Sequence, residues 1–277
     1  MNKPNQVQIT RDQNGRELVM VRVDKTLKDF MSQKPSSRWD VTYYLPKYDS
    51  LFKQLNSADF KLVKIDDLLL SKTDGITYGQ VGTREYDKNG EIQYLQVSNI
   101  RNTGLDYYVK YSKIKAGSHN DPQRSRIKPS DVLLINGGVG SLGRACVALN
   151  KNECNISQDI DRLRLKNNDQ CFYIAVFLNS FFGKTQIERF TKGVSGQIKI
   201  GFDHVRSILI PILKDEQLKN IEIEYKKMSV FHDKAMEAKK IGNEVESREN
   251  IEKAEKMLKD LILKTEDVIR GERKDII

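Results

Sequence analysis

From Lys214 to the C-terminus the chain contains no proline, and its apolar residues keep step. Leu218, Ile221, Tyr225, Met228, His232 and Ala235 recur at alternating three- and four-residue intervals. After Gly242-Asn243, Ile251, Ala254, Leu258, Leu261, Thr265 and Val268 repeat the pattern. A stripe of that period gathers on one face only when the backbone is helical. The two seams do not share a register, because Ala235 to Ile251 is 16 residues where two heptads give 14. Two arrangements remain open: a helical hairpin, or one stuttered helix of about 80 Å at about 1.5 Å per residue. Ser247 is the expected cap of the second helix. Either the seams pack on the chain's own body, or they pair chains, with Leu218, Ile221, Tyr225, Met228, Leu258 and Leu261 as dimerisation residues.

The charge is unevenly placed. The chain of 277 residues carries 47 Lys and Arg against 38 Asp and Glu, net +9; residues 214–277 hold 15 basic and 16 acidic, so residues 1–213 carry net +10. A basic body with a charge-balanced tail points to a polyanionic partner for the body. Cys146, Cys154 and Cys171 form no C-x-x-C pair, and His119, His204 and His232 show no ligand spacing, so neither a disulfide framework nor a metal site is expected. No apolar run approaches the roughly 20 residues that cross a bilayer, and the N-terminus lacks a signal-peptide core. The expected setting is the cytoplasm, with no membrane partner.

Between these limits the chain reads as mixed α and β. Residues 1–37 form a polar arm with a short strand at 19–23, a short helix at 26–31 and a linker at Pro35-Ser36-Ser37. Residues 38–213 alternate helices (48–55, 65–71, 172–181, 185–190) with strands (92–97, 107–111, 132–135, 145–149, 162–165), punctuated by Asn and Gly. Residues 214–277 are the helical region.

The stretch Val132-Leu133-Leu134-Ile135-Asn136-Gly137-Gly138-Val139-Gly140-Ser141-Leu142-Gly143 contains glycines in G-x-G-x-x-G spacing after a strand. A dinucleotide site also requires that the last glycine open a helix, whose N-terminus receives the pyrophosphate. The residues after Gly143, Arg144-Ala145-Cys146-Val147-Ala148-Leu149, suit a second strand better. The expectation is therefore a hairpin with a glycine turn. A nucleotide-dependent enzyme using Gly138 to Gly143, with Asp161 near the ribose-ligand spacing, is the alternative; a coiled-coil adaptor with a basic binding body is another.

Several blocks occur in an order that is similar to a known family. These are Arg38-Trp39-Asp40-Val41-Thr42-Tyr43-Tyr44-Leu45-Pro46-Lys47-Tyr48, Gly75-Ile76-Thr77, Tyr94 to Ile100, Lys128 to Gly143, and Asn155-Ile156-Ser157-Gln158. Then come Phe177-Leu178-Asn179-Ser180, Gly193 to Ile198, and Ile210-Pro211-Ile212 with Glu216-Gln217. Together, over about 38–270, they resemble the specificity subunit of type I restriction-modification systems. The resemblance implies a DNA target-recognition domain at 38–213 and a coiled-coil spacer at 214–277. A full subunit of that family carries two of each; this chain has one, so it resembles a half-subunit. The resemblance further implies a non-catalytic protein without cofactor. S-adenosylmethionine is expected only on a partner methyltransferase. The implied partners are double-stranded DNA, adenine-specific methyltransferase subunits, restriction and translocase subunits, and either a second copy or a second recognition chain. The sequence agrees in lacking amino-methylation, phosphate-loop and nuclease motifs.

Chemistry and position select the candidate DNA contacts. Arg, Lys, Asn and Gln read base edges, and cations, hydroxyls and backbone N–H groups hold phosphates. Gln96, Asn99 and Arg101 lie at a strand-to-loop edge, Arg124 and Arg126 in a polar loop, and Arg144 after the glycine turn. Lys192, Ser195, Gln197 and Lys199 decorate a glycine-rich segment, and Tyr78 is a candidate for stacking. If the tail is a separate spacer, removing residues 214–277 leaves a soluble monomer that binds a half-site weakly.

Overall fold

The computed structural model describes residues 7–11, 17–21, 43, 45–57, 60–80, 86–109, 112–149, 152–192 and 198–277. In chain order the elements are β1 (Val7–Arg11), β2 (Glu17–Val21), α1 (Pro46–Ser57), β3 (Leu62–Lys64), α2 (Ile65–Leu68), β4 (Ile76–Tyr78), β5 (Ile92–Leu95), β6 (Ile100–Arg101), β7 (Gly104–Leu105) and β8 (Lys113–Ile114). Then come β9 (Val132–Ile135), β10 (Ala145–Val147), β11 (Cys154–Ile156), β12 (Ile160–Leu163), α3 (Cys171–Asn179), α4 (Phe181–Phe190), α5 (Phe202–Arg206), β13 (Leu209–Pro211), α6 (Asp215–Lys240) and α7 (Glu244–Arg270).

The Val-Leu-Leu-Ile run becomes the middle of the protein because it is covered on both faces. Val132 and Leu134 of β9 pack into a core shared with the helices, whereas Leu133 and Ile135 pack into a second core with Leu95, Ile100 and Ile156. β10 divides likewise, Ala145 and Val147 to one side and Cys146 to the other. Alternate residues of a strand face opposite ways, so a strand buried on both faces needs apolar residues throughout. The four-stranded sheet runs β10-β9-β12-β4, every pair antiparallel. Beside it, β11-β5-β8 form a smaller sheet whose β11–β5 pair is parallel. β13 pairs with β3, and β6 with β7.

α3 is buried along its whole length, as a helix apolar all round must be. It lies on β10, and Asn179 at its end accepts from the Ala145 N–H (3.3 Å) and donates to the Ala145 carbonyl (2.7 Å). Ser180 then caps α4, its hydroxyl accepting from the Gly183 N–H at 3.3 Å. A partly buried ion network ties the sheet's far end: Arg162 and Arg164 of the β12 region converge on Asp74 (2.7 and 3.1 Å), and Arg164 holds Asp131 at 2.8 Å.

The helical region is a hairpin. Gly242 takes a left-handed φ of 77°, and Asn243 caps α7 by accepting from the Glu246 N–H. The continuous helix is thereby excluded, and Ser247 lies inside α7 rather than at its cap. The two helices pack on each other and on α3. Ile221, Tyr225, Met228, Leu258 and Leu261 are buried within one chain, in the same core as Val132 and Leu134, and Leu218 packs against that core. The seams proposed to join two chains are therefore filled by their own body. Tyr225 accepts the Val147 N–H through its hydroxyl (3.1 Å), and His232 contacts Thr103 (2.9 Å) and the Leu105 carbonyl (3.1 Å). No helix among the described residues is long and apolar enough to cross a membrane.

Most expected elements are present with shifted ends. The strand expected at 107–111 is absent over 107–109, where Asp106 instead accepts the N–H groups of Tyr108 and Val109 and bends the chain. The helix expected over 65–71 is a single turn. The helix at 26–31, the linker at 35–37 and most of the block at 38–44 lie outside the described residues.

Candidate nucleic-acid interface

The glycine turn joins two antiparallel strands, and no helix comes directly after Gly143. Gly138 and Gly143 have φ of 99° and 82°, a conformation that side-chain-bearing residues rarely adopt. The dinucleotide reading fails at this point, because the helix N-terminus that would hold a pyrophosphate is missing. The turn instead receives the 198–200 segment. The Gly138 N–H donates to the Ile198 carbonyl (3.0 Å), Gly137 bridges Lys199, and the Ile200 N–H donates to the Asn136 carbonyl (2.9 Å). Lys199 and Lys192 are coupled through both backbone amides, at 2.8 and 2.9 Å.

These pairings place several predicted residues at one end of the sheet. Tyr78 stands opposite Asp161, which stands opposite Leu134, and the Ile135 N–H meets the Arg144 carbonyl at 2.9 Å. Tyr78 and Arg144 thus occupy opposite edges of the same sheet end, three strand spacings or about 14 Å apart. Lys192 and Lys199 sit between, beside the turn.

Two concavities flank this end. One, of about 720 Å³, is walled by Tyr78, Phe202, Asn136, Asp161, Lys192 and Lys199. The Tyr78 ring is partly exposed and lies 5.1 Å from that of Phe202, tilted by 38°. Lys199 keeps half its side chain exposed while its ammonium meets Asp159 at 2.7 Å. The other concavity, of about 680 Å³, separates the body from α7 and brings together Arg101, Arg144, Lys184 and Lys259 beside Phe181. Lys184 also borders the glycine turn, beside Gly140 and Gly143. Neither Lys184 nor Phe202 stands out in the sequence; only their place at this sheet end distinguishes them.

The other predicted contacts divide. Arg124 is exposed on a one-turn 3₁₀ segment, Gln123–Ser125, that packs against β4. Arg101 gives its Nε to Asp106 at 3.1 Å while still lining the groove, and Arg144 gives one NH group to the Ile100 carbonyl at 2.9 Å. Burial pushes the Asp106 carboxyl up, but hydrogen bonds from Lys239, the Tyr108 N–H and Arg101 outweigh it and hold the group below the usual carboxylate range.

Three candidates serve the fold instead. Asn99 is fully buried, accepting the Gln96 N–H (2.9 Å) and donating to the Asp106 carbonyl (2.8 Å), because the tight turn after β5 leaves those backbone groups without strand partners. Gln96 turns its amide to Tyr86 (3.0 Å) and Ser112 (3.3 Å). Arg126 is clamped by the buried Asp121 and by Glu153 at 3.0 Å. Ser195 and Gln197 lie outside the described residues.

No protein-family model and no curated protein sequence matches the chain. Solved structures similar to it include the S subunit of a type I restriction-modification system from M. genitalium, 16% identical over 67% of this chain and 42% of that one, with a TM-score of 0.44. The HsdS subunit from Thermoanaerobacter tengcongensis is 15% identical over 82% and 52%, with a TM-score of 0.43. The type IIG restriction endonuclease BpuSI is 11% identical over 90% and 37%, with a TM-score of 0.48. The chain spans about half or less of the length of each of these.

Proposed function

We propose that the chain is a DNA-recognition subunit of a restriction-modification complex. The body, residues 38–213, reads one half-site in duplex DNA, and adenine-specific methyltransferase subunits, with restriction and translocase subunits, supply the chemistry. The observation that carries this reading is the sheet end where Tyr78, Arg144, Lys184, Lys192 and Lys199 gather around the glycine turn. Cations on a rigid sheet end hold phosphates, and loops rooted there reach base edges. Two features support it: the net +10 confined to residues 1–213, and the ordered sequence blocks that resemble the type I specificity subunit. A second half-site is supplied by a second copy or by a different recognition chain.

The test uses the purified full-length chain. It should bind duplex DNA, with log affinity falling linearly against log salt, because each neutralised phosphate releases counterions. It should transfer no methyl group and cut no strand by itself. Charge reversal at Lys199 or Arg144 should weaken binding about fivefold or more, the range of one lost contact of roughly 1–3 kcal/mol. Affinity that does not change with salt, or methylation by the chain alone, overturns the reading.

A further inference from the structure

The turn between β9 and β10 carries an aliphatic side chain where turn chemistry asks for none. Val139 stands between Gly138 and Gly140 and is 69% exposed. Tight turns favour Gly, Asn, Asp or Ser, which supply unusual backbone angles or bond the turn with a short polar side chain. Valine does neither and leaves its methyl groups in water, although every residue of the strand before it, Val132 to Ile135, is buried. The backbone holds this exposure in place. Gly138 and Gly140 take φ of 99° and 79°, the Leu142 N–H donates to the Gly138 carbonyl at 3.0 Å, and the Gly143 N–H donates to the Ile135 carbonyl at 2.9 Å. The 198–200 segment fixes the base of the turn through the Gly138 N–H and the Asn136 carbonyl. Val139 is thus presented on a rigid tip, by a branched side chain with little rotamer freedom to lose on contact.

The surroundings of the tip are cationic. Lys199 lies over Gly137, where an added Cβ would come within 3.0 Å of the lysine Cγ. Lys192 shares a concavity with Asn136 before the tip, and Lys184 shares one with Gly140 and Gly143 after it. Arg144 closes the turn, its N–H donating to the Ser141 carbonyl at 3.1 Å. The nearby carboxylates are paired, Glu188 with Lys47 at 2.6 Å and Asp159 with Lys199 at 2.7 Å. Lys184, Lys192 and Arg144 have no carboxylate partner among the described residues. The major groove of B-form DNA, about 12 Å wide, admits a two-stranded ribbon. Entering tip first, the β9–β10 hairpin gives its cations to the phosphates on the groove walls and Val139 to the base edges on the floor. An aliphatic group makes no hydrogen bond there, and the feature of the floor that it matches is the 5-methyl group of thymine. On this juxtaposition, and resting on the DNA-recognition reading, we propose that Val139 is a specificity-determining residue whose isopropyl group packs against a thymine methyl in the major groove.

The test removes the two partners separately. The full-length chain selects its preferred duplexes from a random library, and each thymine of the selected site is then replaced singly by deoxyuridine, which lacks only the 5-methyl group. Affinity is read by fluorescence anisotropy for the parent chain and for Val139→Ala, whose side chain lies in solvent and whose melting curve should match the parent's. At one position the parent should lose about fourfold in affinity, the factor that burial of one methyl group supplies. Val139→Ala should bind the thymine site about as weakly as the parent binds the deoxyuridine site, and should no longer distinguish the two. A selected site without thymine, or one in which no replacement weakens the parent, overturns the proposal and leaves the DNA-recognition reading standing. So does a Val139→Ala chain that still discriminates thymine from deoxyuridine as the parent does, because the methyl group is then read by another residue. If the chain selects no duplex at all, the DNA-recognition reading fails and the proposal falls with it.

Discussion

Asp161 and Asp131 are both buried carboxyls on the central sheet, and their surroundings give them opposite consequences. Asp161 has an amide neighbour and no direct cation, and burial lifts it from the ordinary 3.8 to about 8. The folded chain therefore holds a proton that the unfolded chain releases between those values. Its contribution to stability is complete below about pH 4 and is lost as the pH rises through about 8. Asp161→Asn removes this dependence at nearly constant shape. Its melting temperature should exceed the parent's by several degrees above pH 8, and the two should converge near pH 4; parallel melting curves across that range would refute the assignment. Asp131 instead faces Arg164 at 2.8 Å, with Arg162 at 4.0 Å. Arg162 is completely buried, and its other carboxylate, Asp74, is half exposed. Asp131→Ala leaves that guanidinium buried with half its compensation, a loss that typically costs about 3–5 kcal/mol. Urea denaturation should show the unfolding free energy lowered by that amount, as an earlier midpoint with little change of slope.

At the scale of elements, the sequence was legible wherever a period was long or a residue had a single use. The heptad seams marked α6 and α7, the Val132–Ile135 run marked the central strand, and the glycines marked a hairpin rather than a nucleotide loop. Illegible were the elements that only tertiary pairing creates. β11 is three residues long and exists because Cys154 to Ile156 find β5 in parallel register. α5 is five residues whose burial rests on Val205. The candidate site divided in the same way. Tyr78, Arg144 and Lys199 were named by chemistry and lie at one sheet end. Gln96, Asn99 and Arg126 have the same chemistry, but turns and carboxylates inside the fold claim them, and sequence spacing does not show where a side chain will turn. The seams illustrate the point most sharply, since period reveals an apolar face and not what covers it. Because the body covers it, Leu261→Glu should act as a core substitution. Placing an unpaired carboxylate there should unfold the chain or cost several kcal/mol. Val230→Glu, at a half-exposed position on α6, should change the melting temperature little. Circular dichroism melts of the two variants distinguish this from a seam between copies, where Leu261→Glu would give a stable folded monomer.

At the scale of the whole molecule, the helical hairpin is part of the body's core. Tyr225 satisfies a backbone N–H of β10 at 3.1 Å, and His232 and Lys239 reach across to the Thr103–Asp106 turn at 2.9 and 2.7 Å. Gln217 closes the chain's end onto α6 through the Lys274 carbonyl (2.8 Å), and Ile276 is buried. An expectation drawn from heptads alone treats residues 214–277 as a detachable spacer whose removal leaves a soluble, weakly binding domain. The packing bears on the removal alone: the helices share the body's core. Removing the hairpin uncovers α3 on the side that meets both long helices and takes away the bonds that Tyr225, His232 and Lys239 make to Val147, Thr103 and Asp106. Apolar surface of that extent on a small domain exceeds what a stable monomer leaves in water. Residues 1–213 alone should therefore be recovered as aggregate or as an expanded state, with far-UV signal but no cooperative melt. Adding residues 214–277 as a separate peptide should restore a cooperative transition, because both halves of the missing core would again be present. A sharply melting, monodisperse 1–213 fragment would show that the hairpin is detachable after all. Pairing of copies, if it uses these helices, must then employ the outward side of α6 and α7, where Ile223, Val230 and Leu263 remain exposed.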